Sequence, residues 1–491
     1  MFILFIIHLL LIVLSIYLMY YLFSYYFIIF ITLNIIITGV TVLSILSKKV
    51  NPTYKISWLV SFIMLPVVGV IMYILTHLQL GSKSLMKKLK SIENKTKNLL
   101  NTDYQVDYEL RPLSNYFYNT GSFPTYKDVE TVYFPDGDLF FKDLLSEVNK
   151  AKKTIFIDSY IISNGVMLKQ LLEVLERKKS EHVVIKILYD GIGSLSFHLS
   201  NIPKRLKKMG IECVAYCPIK PLLSTYQNNR NHHKMFIIDN KIAYTGGINI
   251  ADEYIHKKSK YGYWKDTAIK ITGTSVITFM ISFLKMWMLS GGIVSDNMLY
   301  LPEYNFPFKK GYVIPYTNSP YIMESLSKNV YLDILYQAKK YVYIMTPYLV
   351  LDYEMMNTVI MTAKKKIEII IIVPSIPDKK MVHLVGKSYY EELLKAGVKI
   401  YEYTPGFCHA KVWVSDNKRA VVGSINLDYR SFYLQFESAV YLFKNKAIKD
   451  IQNDFTAVIK DSRQITITEA RNIPWYKKIL GQLIKLFSSL L

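Results

Sequence analysis

The sequence predicts an α/β protein of two related lobes, each an α/β/α sandwich, behind an N-terminal region of transmembrane helices. Three observations predict it. Past residue 135, a pattern of buried strands and amphipathic helices runs twice. Each copy carries the same spaced set of His, Lys, Asp, Gly and Asn. Ahead of both, residues 1–46 contain no Asp, Glu, Lys or Arg.

The membrane region comes first in the chain. One helix crosses a bilayer in about 20 residues, so residues 1–46 are long enough for two passes, with the polar break "FSYY" at 23–26 as the turn. A third apolar stretch, 56–80, contains Pro66 and Gly69, which predict a kink. The region 1–80 is therefore expected to make two or three passes. A cleaved signal peptide fits poorly, since there is no charged leading segment and the apolar run is too long.

Residues 81–134 form a basic linker and lead-in that opens with "SKSLMKKLKSIENKTK". Lys and Arg accumulate on cytoplasmic flanks, which predicts a cell-membrane protein with a cytoplasmic body. Lys48, Lys49 and Lys55 on the opposite flank pull the other way. The net charge of +22 would suggest nucleic acid in a soluble protein. Behind membrane helices, anionic lipid is the simpler partner, and no nucleic acid is expected. The three cysteines, Cys213, Cys217 and Cys408, make neither a disulfide framework nor a zinc pattern.

The repeat defines a lobe over 135–300 and another over 301–470. "AKKTIFIDSYII" (151–162) matches "AKKYVYIMTPYL" (338–349), and "LKKMGIECVAYCP" (206–218) matches "LLKAGVKIYEYTP" (393–405). Apolar runs bounded by turn residues read as buried strands. Between them, "LKQLLEVLERKK" and "YYEELLKAG" have helical spacing. Alternating strands and helices imply a layered α/β domain, and two copies imply a pseudo-twofold arrangement.

The next slot of each copy carries the chemistry. "NNRNHHKMFIIDNKIAYTGGIN" (228–249) contains His232, Lys234, Asp239, Gly246 and Asn249. "GFCHAKVWVSDNKRAVVGSIN" (406–426) contains His409, Lys411, Asp416, Gly423 and Asn426 at the same spacing. On a strand, His-x-Lys places imidazole and ammonium on one face. If the lobes face each other, two imidazoles and two ammoniums converge, with Asn249, Asn426 and Ser424 as polar contacts for substrate. That set suits a phosphodiester. One neutral imidazole attacks phosphorus and the other, protonated, gives its proton to the departing alkoxide. The lysines stabilise the developing charge, so neither metal nor cofactor is expected. His232 is taken as nucleophile and His409 as acid, although the near-symmetry of the copies does not decide between them.

Metal binding is the competing reading. A lysine two residues from each histidine on the same face would repel the ion. "PDGD" (135–138) could supply a magnesium pair, but is also ordinary turn chemistry. His233 should point to the opposite face from His232. Arg230 and Arg430 could contact a lipid phosphate or form salt bridges.

The paired His-x-Lys-x4-Asp motifs resemble the phospholipase D superfamily, and within it bacterial cardiolipin synthases. "FPDGDLFFKDLL", "ILYDGIGS", "YWKDT" and "LDYRSFYLQFE" are similar to stretches of their catalytic part. Residues 51–75 look like their N-terminal membrane segment. The resemblance implies two phospholipase D-like lobes. It also implies a reaction in which two phosphatidylglycerols give cardiolipin and glycerol through a phosphohistidine. Lipid hydrolysis is the alternative within the superfamily, and nuclease activity a more distant one. It further implies a carboxylate downstream that orients each histidine, by position Asp266 and Glu437, and structural roles for the motif aspartates Asp239 and Asp416. The copies differ at Gly246-Gly247 against Gly423-Ser424, which leaves the role of the hydroxyl open.

The tail, 471–491, ends in "PWYKKILGQLIKLFSSLL", an amphipathic helix by its spacing. It could lie on a bilayer or dock on the catalytic core.

Overall fold

The computed structural model describes residues 2–24, 26–48, 50–77, 87, 91, 100, 106–127, 129–218, 228–294, 310–322 and 324–488. Most of the basic stretch at 82–97 lies outside them. Four N-terminal helices, α1 (Phe2–Phe23), α2 (Phe27–Ser47), α3 (Pro52–Met64) and α4 (Pro66–His77), belong to one compact unit, and the two lobes to another.

Among the described residues, α2 is the one helix long and apolar enough to cross a membrane, with 21 residues and a mean hydropathy of 2.4. The described apolar run of α1, Leu10–Leu22, is shorter.

The expected third pass is instead a helical hairpin. The chain breaks at Leu65 (φ −141°, ψ 71°), and Pro66 opens α4. Proline disfavours a helical conformation in the residue before it and is well placed to start a helix. The two helices fold back closely enough that a Cβ on Gly69 would lie 2.7 Å from the Ser61 carbonyl oxygen. Trp58 and Phe62 of α3 pack on Tyr73 of α4, with ring centroids 5.2 and 5.6 Å apart. At about 1.5 Å per residue, neither helix reaches across ~30 Å of hydrocarbon.

The lobes are α/β, as the repeat predicts. Strands run in chain order as β1 (Glu130–Phe134), β2 (Thr154–Ser159), β3 (Val184–Asp190), β4 (Glu212–Tyr216), β5 (Arg230–Asn231), β6 (Lys234–Ile238), β7 (Ile242–Gly246), β8 (Tyr263–Lys265) and β9 (Ala268–Thr272). The second copy supplies β10 (Tyr312–Asn318), β11 (Tyr341–Met345), β12 (Glu368–Pro374), β13 (Lys399–Tyr403), β14 (Gly406–Cys408), β15 (Val412–Ser415), β16 (Arg419–Gly423), β17 (Gln435–Phe443) and β18 (Ser462–Gln464).

The first sheet has the order β1-β9-β7-β6-β2-β3-β4, and the second β10-β17-β16-β15-β11-β12-β13-β18. Apart from the terminal β18, the two orders are the same once each strand is replaced by its repeat partner. In each, three strands are parallel, β2-β3-β4 and β11-β12-β13, and the others join antiparallel. Parallel strands buried on both faces read as continuous apolar runs, and β12 (EIIIIVP) is one.

Each lobe has its own core. Leu144, Leu171, Ile187 and Phe236 belong to the first, and Leu335, Val359, Ile371 and Trp413 to the second. The helix Val276–Leu289 is buried on nearly every side and contacts both β6 and β10.

Two short strands leave their own lobe. β5 pairs in parallel with β17, Gln435 opposite Arg230 and Phe436 opposite Asn231. β14 pairs in parallel with β8, Gly406 opposite Tyr263 and Cys408 opposite Lys265. Each lobe thus gives a strand to the other immediately before its histidine.

Candidate active site

His-x-Lys was expected on a continuous strand. The strand is interrupted there: β5 ends at Asn231 and β6 begins at Lys234, while β14 ends at Cys408 and β15 begins at Val412. The cause is the exchange just described. The chain leaves a ladder with the opposite lobe and joins one in its own, and the histidine occupies the crossing.

The exchange is carried through in hydrogen bonds. The His232 N–H donates to the Phe436 carbonyl at 2.9 Å, and the His409 N–H to the Lys265 carbonyl at 2.7 Å. Phe436 and Lys265 precede Glu437 and Asp266. Accordingly, His232 Nδ1 lies 2.9 and 3.0 Å from the two Glu437 oxygens, and His409 Nδ1 lies 2.6 Å from Asp266 Oδ2. Each imidazole is held by a carboxylate of the other lobe. Sequence order, which would match each histidine with the carboxylate following it in its own copy, does not foresee this.

Each lysine is tied to its own motif. Lys234 Nζ donates to the His232 carbonyl at 2.9 Å, and Lys411 Nζ to the His409 carbonyl. Both ammoniums are buried, and Lys234 stands 5.2 Å from the centroid of the Tyr160 ring. Tyr160 also meets the His232 ring edge-on at 4.7 Å. On the other side, Tyr254 and Trp264 flank His409, with centroids 5.7 and 5.3 Å away.

Burial sets the electrostatics, because desolvation disfavours a charged form. It holds His232 well below its ordinary value, helped by Lys234 and Lys411. It pushes His409 down to about 4, with Lys411 assisting and Asp266 opposing. Lys234 falls to about 7 against the pull of Glu437, and Lys411 to about 8 against that of Asp266. Burial raises Glu437 to about 8 against the pull of Lys234. Near neutrality the His232 ring is thus neutral and Glu437 largely protonated. The Nε2 lone pair is free to attack when the ring's one proton sits on Nδ1 and is donated to Glu437.

The carboxylates are seated differently. The Ser424 hydroxyl donates to Glu437 and accepts from the Ser438 N–H at 2.9 Å. Ser424, grouped in the sequence with the substrate contacts, thus turns to the carboxylate. Its counterpart is Gly247, where a Cβ would fall 2.0 Å from Asp266 Oδ1. The two copies differ here because Asp266 occupies the space that a serine side chain would need.

Asn249 donates to the Tyr254 hydroxyl and accepts from the Ile161 N–H at 3.1 Å. Asn426 is buried, with a side-chain oxygen that has no hydrogen-bond partner.

The motif aspartates point away from the histidines. Asp239 accepts from the N–H groups of Lys152, Lys153 and Thr154 at 2.8, 2.6 and 2.9 Å. Asp416 accepts from those of Lys339, Lys340 and Tyr341 at 2.7, 2.9 and 3.0 Å. Each ties a hairpin turn to the start of the neighbouring strand, and neither joins the imidazole–ammonium cluster.

Several polar residues near the motifs are similarly engaged. Arg230 is buried on Asp190, with contacts of 2.7, 3.0 and 3.2 Å. His233 faces away from the cluster and binds Asp158 at 3.0 Å, while Asn231 binds the other Asp158 oxygen at 2.6 Å. Arg430 reaches Asn228 at 3.3 Å. In "PDGD", Asp136 caps the helix Gly137–Lys150 through the Asp138 N–H and takes His256 Nε2 at 2.8 Å.

Sequence reasoning missed a buried pair behind the site. Lys265 lies 2.8 and 2.9 Å from the oxygens of Asp454, and the Tyr133 hydroxyl donates to the same carboxylate at 2.6 Å. Lys265 is visible in "YWKDT", but nothing local ties it to a residue 189 positions onward.

Comparison with known proteins agrees with this geometry. Residues 144–269 and 331–459 match the family described as "Cardiolipin synthase, PLD-like domain", one match in each lobe. An uncharacterized protein of Streptococcus mutans serotype c is 40% identical over 458 residues, covering 92% of this chain and 99% of that protein. A cardiolipin synthase of Halalkalibacterium halodurans is 30% identical over 475 residues, covering 94% of this chain and 93% of that one. One of Clostridium perfringens (strain SM101 / Type A) is 32% identical over 460 residues, covering 90% and 95%. The crystal structure of phosphatidylserine synthase of Haemophilus influenzae Rd KW20 shares the fold, with a TM-score of 0.57 at 15% identity over 76% of this chain and 96% of that one. With a family match in each lobe and relatives aligned over nearly its whole length, this chain belongs to the cardiolipin synthase family of the phospholipase D superfamily.

Proposed function

We propose that this chain is a membrane-bound phosphatidyltransferase that joins two phosphatidylglycerol molecules into cardiolipin and releases glycerol. The observation that carries the chemistry is the reciprocal seating of two imidazoles, each held through Nδ1 by a carboxylate of the opposite lobe and each beside a lysine. That leaves both Nε2 atoms for phosphorus and the leaving oxygen. The choice of lipid follows the relatives named cardiolipin synthase.

His232 Nε2 attacks phosphorus, and the P–O bond to the departing glycerol breaks. The alkoxide takes a proton from His409 Nε2. The free hydroxyl of a second phosphatidylglycerol then gives its proton to His409 and attacks, breaking the P–N bond. Burial by itself keeps both rings neutral. The attack is assigned to His232 and the acid role to His409 because Asp266 pulls His409 towards its charged form, a pull that the negative charge of a bound phosphodiester reinforces. Lys234 and Lys411 balance the phosphoryl oxygens, with Asn426 as a further polar contact. The helices α1 and α2 serve as two passes, and the basic flank after them places the lobes on the cytoplasmic face.

Chromatography of products from pure phosphatidylglycerol tests this reading. Cardiolipin with an equal amount of glycerol is the expected result. Phosphatidic acid as the main product would make the protein a hydrolase, and no consumption of phosphatidylglycerol would remove the proposal.

A further inference from the structure

We propose that the outward face of the terminal helix Trp475–Leu486 is a lipid-binding surface that lies in the headgroup layer of a bilayer. The sequence alone left two placements for this segment, on the membrane or on the catalytic core. The helix uses separate faces for them. Gly481 is buried, and a Cβ there would stand 3.2 Å from the Leu384 carbonyl oxygen and 3.6 Å from Ser388 Cβ. Ile484 is partly buried against the core of the second lobe. That side is docked.

The remaining apolar residues face outward. Trp475 is 74% exposed, Tyr476 55%, Ile479 52%, Leu480 43% and Leu483 52%. At about 3.6 residues per turn, these five fall within one continuous arc of roughly 140°. A helix packed on a soluble protein turns such a stripe inward, and this one turns it out.

The chemistry of the face favours lipid over a second protein. Trp and Tyr at the start of the helix have the apolar body and polar tip that suit the headgroup boundary. Exposed Lys477 supplies positive charge beside the stripe, as in helices that lie in the plane of an interface, while Lys478 is turned to the Arg471 carbonyl and Glu391. Lysine is depleted where proteins meet proteins. The chain also carries a net charge of +22 and a helix long enough to cross a membrane. The inference rests on this helix alone and holds whichever phosphodiester the site turns over.

Fluorescence quenching on the full-length chain tests it. In a Cys213→Ser background, which removes the one native thiol that is not buried, a bimane label is placed at Ile479→Cys or at Gln482→Cys. The proteins are reconstituted into vesicles of equal parts phosphatidylglycerol and phosphatidylcholine. The label at 479 is expected to be quenched several-fold more strongly than that at 482 by lipids carrying a nitroxide on the acyl chain, and iodide in the buffer is expected to reach only 482. Equal quenching of both sites by iodide would overturn the proposal. So would a label at 479 shielded from both quenchers, since a protein, such as a second copy of this chain, would then cover the face.

Discussion

Nδ1 of His409 lies 2.6 Å from Oδ2 of Asp266, and the two residues come from different lobes. The reverse contact, His232 to Glu437, completes the exchange. Neither imidazole takes its carboxylate from its own half of the repeat, so each pair is built from both copies.

The first prediction concerns these carboxylates. Glu437→Gln and Asp266→Asn keep side-chain shape but replace the carboxyl group at each Nδ1 by an amide that can neither take up nor release a proton. Turnover is expected to fall by about 10²–10⁴-fold in each, the range of a lost acid–base contribution. His232→Ala and His409→Ala should abolish it. Rates of lipid product formation, measured beside thermal unfolding to show that the variants are folded, check this. A variant of either histidine that still turned over would end the mechanism.

The second is a proton linkage. Burial depresses Lys234 to about 7, Lys411 to about 8 and His409 to about 4. A phosphodiester brings a negative charge among them and raises all three. Between pH 7 and 8, binding should therefore take up protons, and affinity should weaken as the pH rises. Calorimetry with a non-reacting phosphodiester lipid analogue, in buffers of different ionisation enthalpy, reads the uptake directly. Proton release would contradict the electrostatics.

A third prediction separates the two kinds of motif residue. Asp239→Ala and Asp416→Ala each remove a carboxylate that accepts three backbone N–H groups. Each should cost about 1–3 kcal/mol of stability, while turnover per folded molecule stays near that of the parent. Denaturant unfolding with a parallel rate measurement distinguishes this from a catalytic role, in which the rate would fall without loss of stability.

The buried pair Lys265–Asp454 gives a fourth. Removing one partner strands a buried charge at a cost of about 3–5 kcal/mol, so Asp454→Leu should lower the unfolding midpoint sharply. The double variant Lys265→Met, Asp454→Leu should recover much of that loss. Because the Lys265 carbonyl receives the His409 N–H, the rate per folded molecule should drop in the single variant and partly return in the double one. A double variant no more stable than the single would argue against the pair as the cause.

The sequence by itself determined the α/β class, the two lobes and the identity of the clustered residues. Strand and helix periodicity are local signals, and a motif repeated at equal spacing is legible without a fold. It also marked Asp266 and Glu437, through resemblance. Tertiary structure decided what those residues face. β5 and β14 cross to the opposite lobe, so each histidine meets the other copy's carboxylate. Ser424 turns to Glu437, and Gly247 makes room for Asp266. The stretch expected as a third pass folds into the α3–α4 hairpin, because Pro66 breaks the helix and Gly69 admits a close return. Hydropathy measures how apolar a segment is and carries no record of where the chain doubles back. Pairing between strands is likewise set by contacts far apart in the chain, which spacing within a motif cannot encode.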